Sequence, residues 1–204
     1  MRNTIRPVIC LLLTAGLVSA AEEYTYWVEP CTFVQARSTS CTATDPELGR
    51  WAFEAWQRES NGLLVFKPSL NEEQARIRIH WAGGASSLYG ETQRIEVNGK
   101  PGANIFVLPD IRELGPDILA AGRTDPLFRE AIVYLTCLHE SGHAIGLAHT
   151  RNFADIMYSF QFGGDIVEYF KRYRRLLKSR VDIREHSGIS ESDRETVRHL
   201  PQQF

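Results

Sequence analysis

The sequence lacks internal repeats, low-complexity tracts, an excess of charge of either sign and long internal apolar runs. Its 23 basic and 25 acidic residues give a net charge of −2, which argues against nucleic acid as the main ligand. No internal run reaches the roughly 18 apolar residues of a membrane span. Apolar residues make up 43% of the 204 residues, a composition typical of a globular core and unlike disordered or collagen-like chains. One compact domain is therefore predicted.

The N-terminal segment is typical of a secretory signal peptide. Arg2 and Arg6 supply positive charge, residues 8–18 are almost entirely apolar, and small residues follow at 18–21. An uncleaved membrane anchor is the alternative, and it is disfavoured because the apolar stretch is short. We expect residues 1–21 to be removed, leaving one domain over 22–204 that is secreted or periplasmic and has no transmembrane anchor.

The cysteines left after that cleavage are Cys31, Cys41 and Cys137. An oxidising compartment favours pairing of thiols. Cys31 and Cys41 lie ten residues apart in a Thr/Ser-rich segment and can close a loop, whereas Cys137 falls in a strongly apolar helix. We expect a Cys31–Cys41 disulfide and a buried Cys137 thiol, with other pairings left open because a sequence does not fix connectivity.

Hydrophobic periodicity predicts an α+β fold. Four strands are predicted, at residues 63–66, 76–81, 87–97 and 103–108. Four helices are predicted, from Asp45 (as N-cap) to Asn61, from 127 to 146, over 165–180, and from Ser190 onwards. Residues 22–44 are predicted to be irregular.

The last turns of the long apolar helix carry the residues with chemistry. Residues 139–149 read HESGHAIGLAH, which matches H-E-x-x-H-x-x-G-x-x-H. His139 and His143 are four apart and share one helix face, so both can bind one ion. Gly146 allows a sharp turn that brings His149 in as a third ligand. Three neutral imidazoles with an open fourth position are typical of catalytic zinc.

Glu140 lies beside these histidines and can accept a proton from a water at the metal. A single histidine on an apolar helix is more often a core residue than a ligand. Here that interpretation would bury a carboxylate and three imidazoles without a cation, which is costly. The sequence therefore predicts one zinc ion, held by His139, His143 and His149, with Glu140 as the general base.

This motif resembles the signature of the metzincin metalloproteases, and residues 155–158, DIMY, resemble the methionine turn of their matrixin branch. The resemblance implies a twisted mixed sheet, an active-site helix and a C-terminal helical subdomain. It also implies that Met157 lies beneath the zinc histidines and that Asp193 braces the methionine turn. Tyr158 directly follows Met157, as in matrixins, so no tyrosine ligand is expected.

The chain also departs from the matrixin pattern. No cysteine-switch peptide precedes the domain, and residues 82–90 lack the histidine and aspartate of a structural zinc and calcium site. We therefore expect a single catalytic Zn²⁺ and no structural calcium. Ser159 stands where matrixins have proline, and the family supplies no role for residues 160–188. The basic side chains of the predicted helix 165–180 are expected to face outward, and the remaining histidines to lie on the surface: His80, His186 and His199.

These features together predict a secreted zinc endopeptidase that acts as a monomer on a protein or peptide substrate. An extended substrate would pair with an exposed edge strand within residues 85–97, because an edge recognises peptide backbone. Two alternatives stay open. One is a catalytically weak, zinc-containing binding module, against which the intact Glu140 counts. The other is a zinc hydrolase that acts on non-peptide amides.

Overall fold

A computed structural model describes residues 21–83 and 89–200. They form an α+β fold with a five-stranded mixed sheet of order β2-β1-β3-β5-β4. β1 is parallel to β2 and β3, β3 is parallel to β5, and β4 runs antiparallel to β5 at the sheet edge. The strands are β1 (Glu22–Val28), β2 (Leu64–Pro68), β3 (Ile77–Trp81), β4 (Gly90–Val97) and β5 (Lys100–Val107). The four predicted strands are therefore present, with shifted ends.

The described residues include seven α-helices. They are α1 (Phe33–Thr39), α2 (Asp45–Glu59), α3 (Pro116–Arg123), α4 (Pro126–Ala144), α5 (Ile166–Arg174), α6 (Asp182–Glu185) and α7 (Glu191–Arg198). Short 3-10 helices occupy Glu72–Gln74, Ile111–Leu114 and Phe160–Phe162. None of the described helices has the length and apolar character of a membrane span. The predicted signal peptide falls on residues outside this description, apart from residue 21.

β1 and α1 correct the expectation that residues 22–44 are irregular. Tyr24 and Tyr26 are buried and alternate with the less buried Glu23 and Thr25, which is the two-residue period of a strand. The buried tyrosines allow β1 to lie inside the sheet, between β2 and β3. The alternation was present in the sequence but spans only a few residues.

The predicted disulfide is confirmed and encloses α1. Cys31 and Cys41 are bonded, with their Cα atoms 6.0 Å apart, and Cys137 is a free, buried thiol as predicted. Burial raises the pKa of the Cys137 thiol, so it stays protonated at neutral pH. These observations favour a structural role for Cys137.

Helix α4 runs through the core beside α2, and two polar contacts fix their packing. Trp56 of α2 is fully buried, and its Nε1 donates to the Leu138 carbonyl at 2.9 Å. At the other end, the fully buried Asp45 pairs with Arg129 at 2.6 Å. The prediction of Asp45 as N-cap was wrong, because Thr44 holds that position. Asp45 is instead the buried partner of an α4 arginine, so α4 is anchored along its length.

The C-terminal helices differ from the prediction in extent. α5 ends at Arg174 instead of 180, because the next amides donate to carbonyls only three residues back and tighten the chain. Phe170, Tyr173 and Leu177 are buried as predicted. The prediction that all the basic side chains of residues 165–180 face outward was wrong, since Arg174 pairs with Asp125 at 2.8 Å. α7 begins at the predicted place, with a capping box between Ser190 and Asp193.

Candidate metal centre

The three predicted histidines meet at the C-terminal end of α4. His149 Nε2 lies 3.2 Å from His139 Nε2 and 3.0 Å from His143 Nε2. Among the described residues, these three form the group of His, Cys, Asp or Glu side chains close enough to share an ion. Two nitrogens that each lie about 2.0–2.1 Å from a tetrahedral zinc ion are roughly 3.3 Å apart. The spacing of the ring nitrogens therefore fits a zinc site.

In His139 and His143, a hydrogen bond at Nδ1 fixes which ring nitrogen is free to bind a metal ion. His139 Nδ1 lies 2.7 Å from the Ile156 carbonyl oxygen, and His143 Nδ1 lies 2.8 Å from that of Leu147. A carbonyl only accepts, so each Nδ1 carries the hydrogen and each neutral ring has a bare Nε2. Burial lowers the pKa of His139 to about 3 and that of His143 below 6.5. Bare nitrogens that face one another in neutral rings are a donor set for a cation.

The end of α4 explains how His149 reaches the other two histidines. The Leu147 amide donates to the Gly142 carbonyl at 2.9 Å, and the Gly146 amide donates to that of His143 at 3.0 Å, which is a Schellman ending. Gly146 has φ 103°, a conformation that favours glycine. The chain therefore reverses within one turn and returns His149 to the helix end.

Met157 lies beneath the site, where the resemblance implied. It is buried, and a Cβ on Gly142 would overlap its sulfur, so the methionine packs directly against α4 between His139 and His143. The buried Asp193 accepts from the amide of Ile156 at 2.7 Å and from that of Met157 at 3.4 Å. The brace expected from Asp193 is thus present as hydrogen bonds to the methionine turn.

Glu140 lies between α4 and the edge strand and is only 6% exposed. The Thr92 hydroxyl of β4 donates to Glu140 Oε2 at 2.6 Å and lies 3.0 Å from the Glu140 carbonyl. Burial raises the pKa of Glu140 to about 7, against the opposing effect of the Thr92 hydrogen bond. The carboxyl group is therefore held in one place and can gain or lose a proton near neutral pH.

Gly90 allows β4 to approach Glu140. A Cβ at position 90 would lie 2.6 Å from Glu140 Cγ, 2.7 Å from Glu140 Oε1 and 2.8 Å from Thr136 Cγ2. Such distances require the strand or the carboxylate to move. Gly90 and Thr92 are the site residues that the sequence did not predict, because no pattern in the sequence indicates a contact between β4 and α4.

Gly90→Ala is expected to lower peptide hydrolysis by about 10²-fold, since misplacing a catalytic group by about 1 Å has effects of that size. Zinc content should be unchanged, because position 90 does not touch the histidines. Activity and bound zinc would be measured on the same preparation. Gly122→Ala is the matched control, because the close contact of its Cβ, at 2.3 Å, would be with the end of the Ile111 side chain. Full activity in Gly90→Ala would contradict the assigned position of Glu140.

A cavity of about 520 Å³ opens beside the three histidines and Glu140. Its apolar and largely aromatic wall segments come from the residue before β4, from α4, from the chain after Met157 and from α5. The residues that form them are Tyr89, Leu135, Phe160, Tyr169 and Phe170. Burial raises the pKa of Tyr89 to about 12, so this wall is uncharged at neutral pH. The cavity can accommodate a bulky apolar group next to the metal position.

The histidines outside the motif take no part in the site. His186 and His199 are exposed, as predicted. His80 corrects the prediction, because it is half-buried on β3 and its ring lies 5.6 Å from that of Trp27 and 5.3 Å from that of Phe106. No family model matches the chain, and no curated protein matches it.

Proposed function

We propose that this protein is a secreted, zinc-dependent endopeptidase with a metzincin-like, matrixin-type catalytic domain. The observation that carries the proposal is the convergence of three imidazoles, in which His149 Nε2 lies 3.0 Å from the bare Nε2 of His143 and 3.2 Å from that of His139, beside a buried carboxyl group. His139, His143 and His149 would hold a single Zn²⁺. All three ligand atoms would be nitrogens, and the fourth coordination position would face the cavity, as in catalytic zinc sites.

A bound zinc ion supplies Lewis acidity, which lowers the pKa of a coordinated water to about 7. Glu140 supplies the proton chemistry. Its carboxylate accepts a proton from the attacking water and then delivers that proton to the leaving amine nitrogen. Thr92 holds Glu140 Oε2 at 2.6 Å, which keeps the carboxylate pointed at the cleft while its charge changes. The raised pKa of Glu140 suits a group that must both accept and donate a proton.

The proposed substrate is an extended peptide with a bulky apolar side chain next to the cleaved bond. β4 (Gly90–Val97) lies at the sheet edge next to the site, where an added strand gains backbone hydrogen bonds. Part of the predicted edge segment, residues 84–88, lies outside the described residues. The aromatic wall of the cavity supports an apolar preference, because burying an apolar side chain there removes its surface from water.

The proposal is tested by incubating the purified chain, residues 22–204, with a library of peptides of mixed sequence. We expect cleavage at internal bonds next to bulky apolar residues, loss of cleavage with a zinc chelator, and recovery when zinc is restored. A cell-wall digest run in parallel reports hydrolysis of non-peptide amides. Cleavage that persists in chelator contradicts the proposal, as does hydrolysis confined to the cell-wall sample.

A further inference from the structure

Helix α5 contacts the methionine turn through an unusual run of hydrogen bonds. Tyr169 and Arg172 of this one helix contact four consecutive carbonyls, at residues 153–156. Tyr169 Oη donates to the Asp155 carbonyl at 2.9 Å and lies 3.3 Å from that of Ile156. Arg172 donates through Nη2 to the Ala154 carbonyl at 2.9 Å and through Nη1 to that of Phe153. The carbonyls of residues 153–156, in the loop between His149 and Met157, are thus all contacted from α5.

Tyr169 and Arg172 act as one unit, which we call the α5 clamp. They are three residues apart and so share a helix face. The Arg172 guanidinium carbon lies 4.5 Å from the Tyr169 ring centroid and 5.4 Å from that of Phe153, within the range of cation–π contacts. Tyr169 is buried. Each side chain therefore restricts the other, and the pair presents a rigid set of donors to the loop.

The clamp is connected to a metal ligand through a single peptide group. The Ile156 carbonyl that Tyr169 approaches is also the acceptor of His139 Nδ1, at 2.7 Å. The amide of the same residue donates to Asp193 at 2.7 Å. A carbonyl has two lone pairs and can serve both donors. A shift of the Ile156 peptide would therefore rotate the His139 ring and move its Nε2.

We propose that Tyr169 and Arg172 are positioning residues of the metal centre. They fix the Ile156 carbonyl, which sets the orientation and hydrogen-bonded tautomer of His139. This inference rests on the zinc site of the proposed function, and it assigns a role to α5, part of the segment for which the resemblance supplied none. Direct outer partners of metal-binding histidines typically alter affinity by about 10–100-fold, and the clamp acts one contact further out, through the Ile156 carbonyl.

A purely structural role for the clamp predicts a different result. A loop held only for stability would lower the unfolding temperature of the metal-free protein when the clamp is removed, without changing the metal that binds. A positioning role changes the affinity and the ligand geometry. Zinc affinity and the visible spectrum of bound Co²⁺ report these two properties, and neither requires catalytic activity.

The variants are Tyr169→Phe, which removes only a hydroxyl, and Arg172→Ala, with Arg172→Lys as the conservative change. Arg175→Ala is the matched control, because Arg175 is exposed at the C-cap of the same helix and pairs with Glu168. Zinc dissociation constants would be measured by competition with a chromophoric chelator. Absorption of the Co²⁺ forms and thermal unfolding of the metal-free forms would be recorded alongside.

We expect Tyr169→Phe and Arg172→Ala to bind zinc about 10-fold more weakly than the parent, the lower end of the range for direct outer partners, and to show an altered Co²⁺ spectrum. Arg172→Lys should recover only part of the loss, because an ammonium group lacks the fork that spans two carbonyls. Arg175→Ala should match the parent. Unchanged zinc affinity and Co²⁺ spectra in both clamp variants would overturn this inference but not the proposed function, even if the unfolding temperature falls. A parent that binds no zinc would overturn the proposed function as well.

Discussion

Glu140→Gln is expected to keep zinc bound and the fold intact while peptide hydrolysis falls by about 10²–10⁴-fold, the usual contribution of a general acid–base group. The amide has the same shape, and its oxygen can still accept the Thr92 hydrogen bond now made to Glu140 Oε2 at 2.6 Å. It cannot take up the proton of the attacking water. The loss should be at the upper end of the range, because in the proposed mechanism the same group also protonates the leaving amine. Initial rates with one cleaved peptide, measured beside bound zinc, report both quantities.

Glu130→Gln is the matched control for this substitution. Glu130 lies on the same helix and pairs with Arg180 at 3.0 Å, away from the cleft. It should lose some stability and keep its activity per folded molecule. If Glu140→Gln hydrolyses peptide as fast as the parent, Glu140 is not the general base and the proposed mechanism is wrong.

His143→Ala is expected to lose both zinc and activity, because it removes one of three ligands. Its zinc affinity should fall by more than the roughly 10–100-fold typical of outer partners. The substitution also deletes the hydrogen bond from His143 Nδ1 to the Leu147 carbonyl at 2.8 Å, and it forfeits the stability that bound metal adds to the folded state. Thermal unfolding with and without added zinc measures this contribution.

His186→Ala is the control for this variant, since His186 is exposed and outside the site. It should retain the zinc-dependent rise in unfolding temperature that His143→Ala loses. Stoichiometric zinc in His143→Ala at parental affinity would contradict the ligand set. The contrast with Glu140→Gln is informative because a non-catalytic zinc module would show no activity difference between Glu140→Gln and its parent.

The sequence was sufficient for the parts of the site that depend on local geometry. The spacing of His139 and His143 on a helix fixes their common face, and Gly146 marks the reversal that returns His149. The α4 prediction, residues 127–146, lies within two residues of the observed ends because the apolar pattern is long and only Arg129 and Glu130 interrupt it with charge before His139. The capping box at Ser190 likewise marked the start of α7.

The parts that the sequence did not predict depend on tertiary contacts. The approach of β4 to Glu140 requires Gly90, yet a glycine at the start of a strand has many other uses. The α5 clamp lies in a helix whose sequence pattern is typical of a basic surface helix. The contact of Arg172 with backbone carbonyls depends on the tertiary structure. β1 was missed because Tyr24 and Tyr26 give too short an alternation to distinguish a strand from an irregular segment.

The zinc content of the purified chain tests the central claim most directly. Residues 22–204 would be dialysed first against zinc, at a concentration below that of the protein, and then against metal-free buffer. The zinc and protein concentrations would then be measured on the same sample. The account predicts retained zinc that saturates at one ion per chain and is absent when His139, His143 and His149 are replaced together by alanine. A parent chain that retains no zinc, or a triple variant that retains as much as the parent, would contradict it.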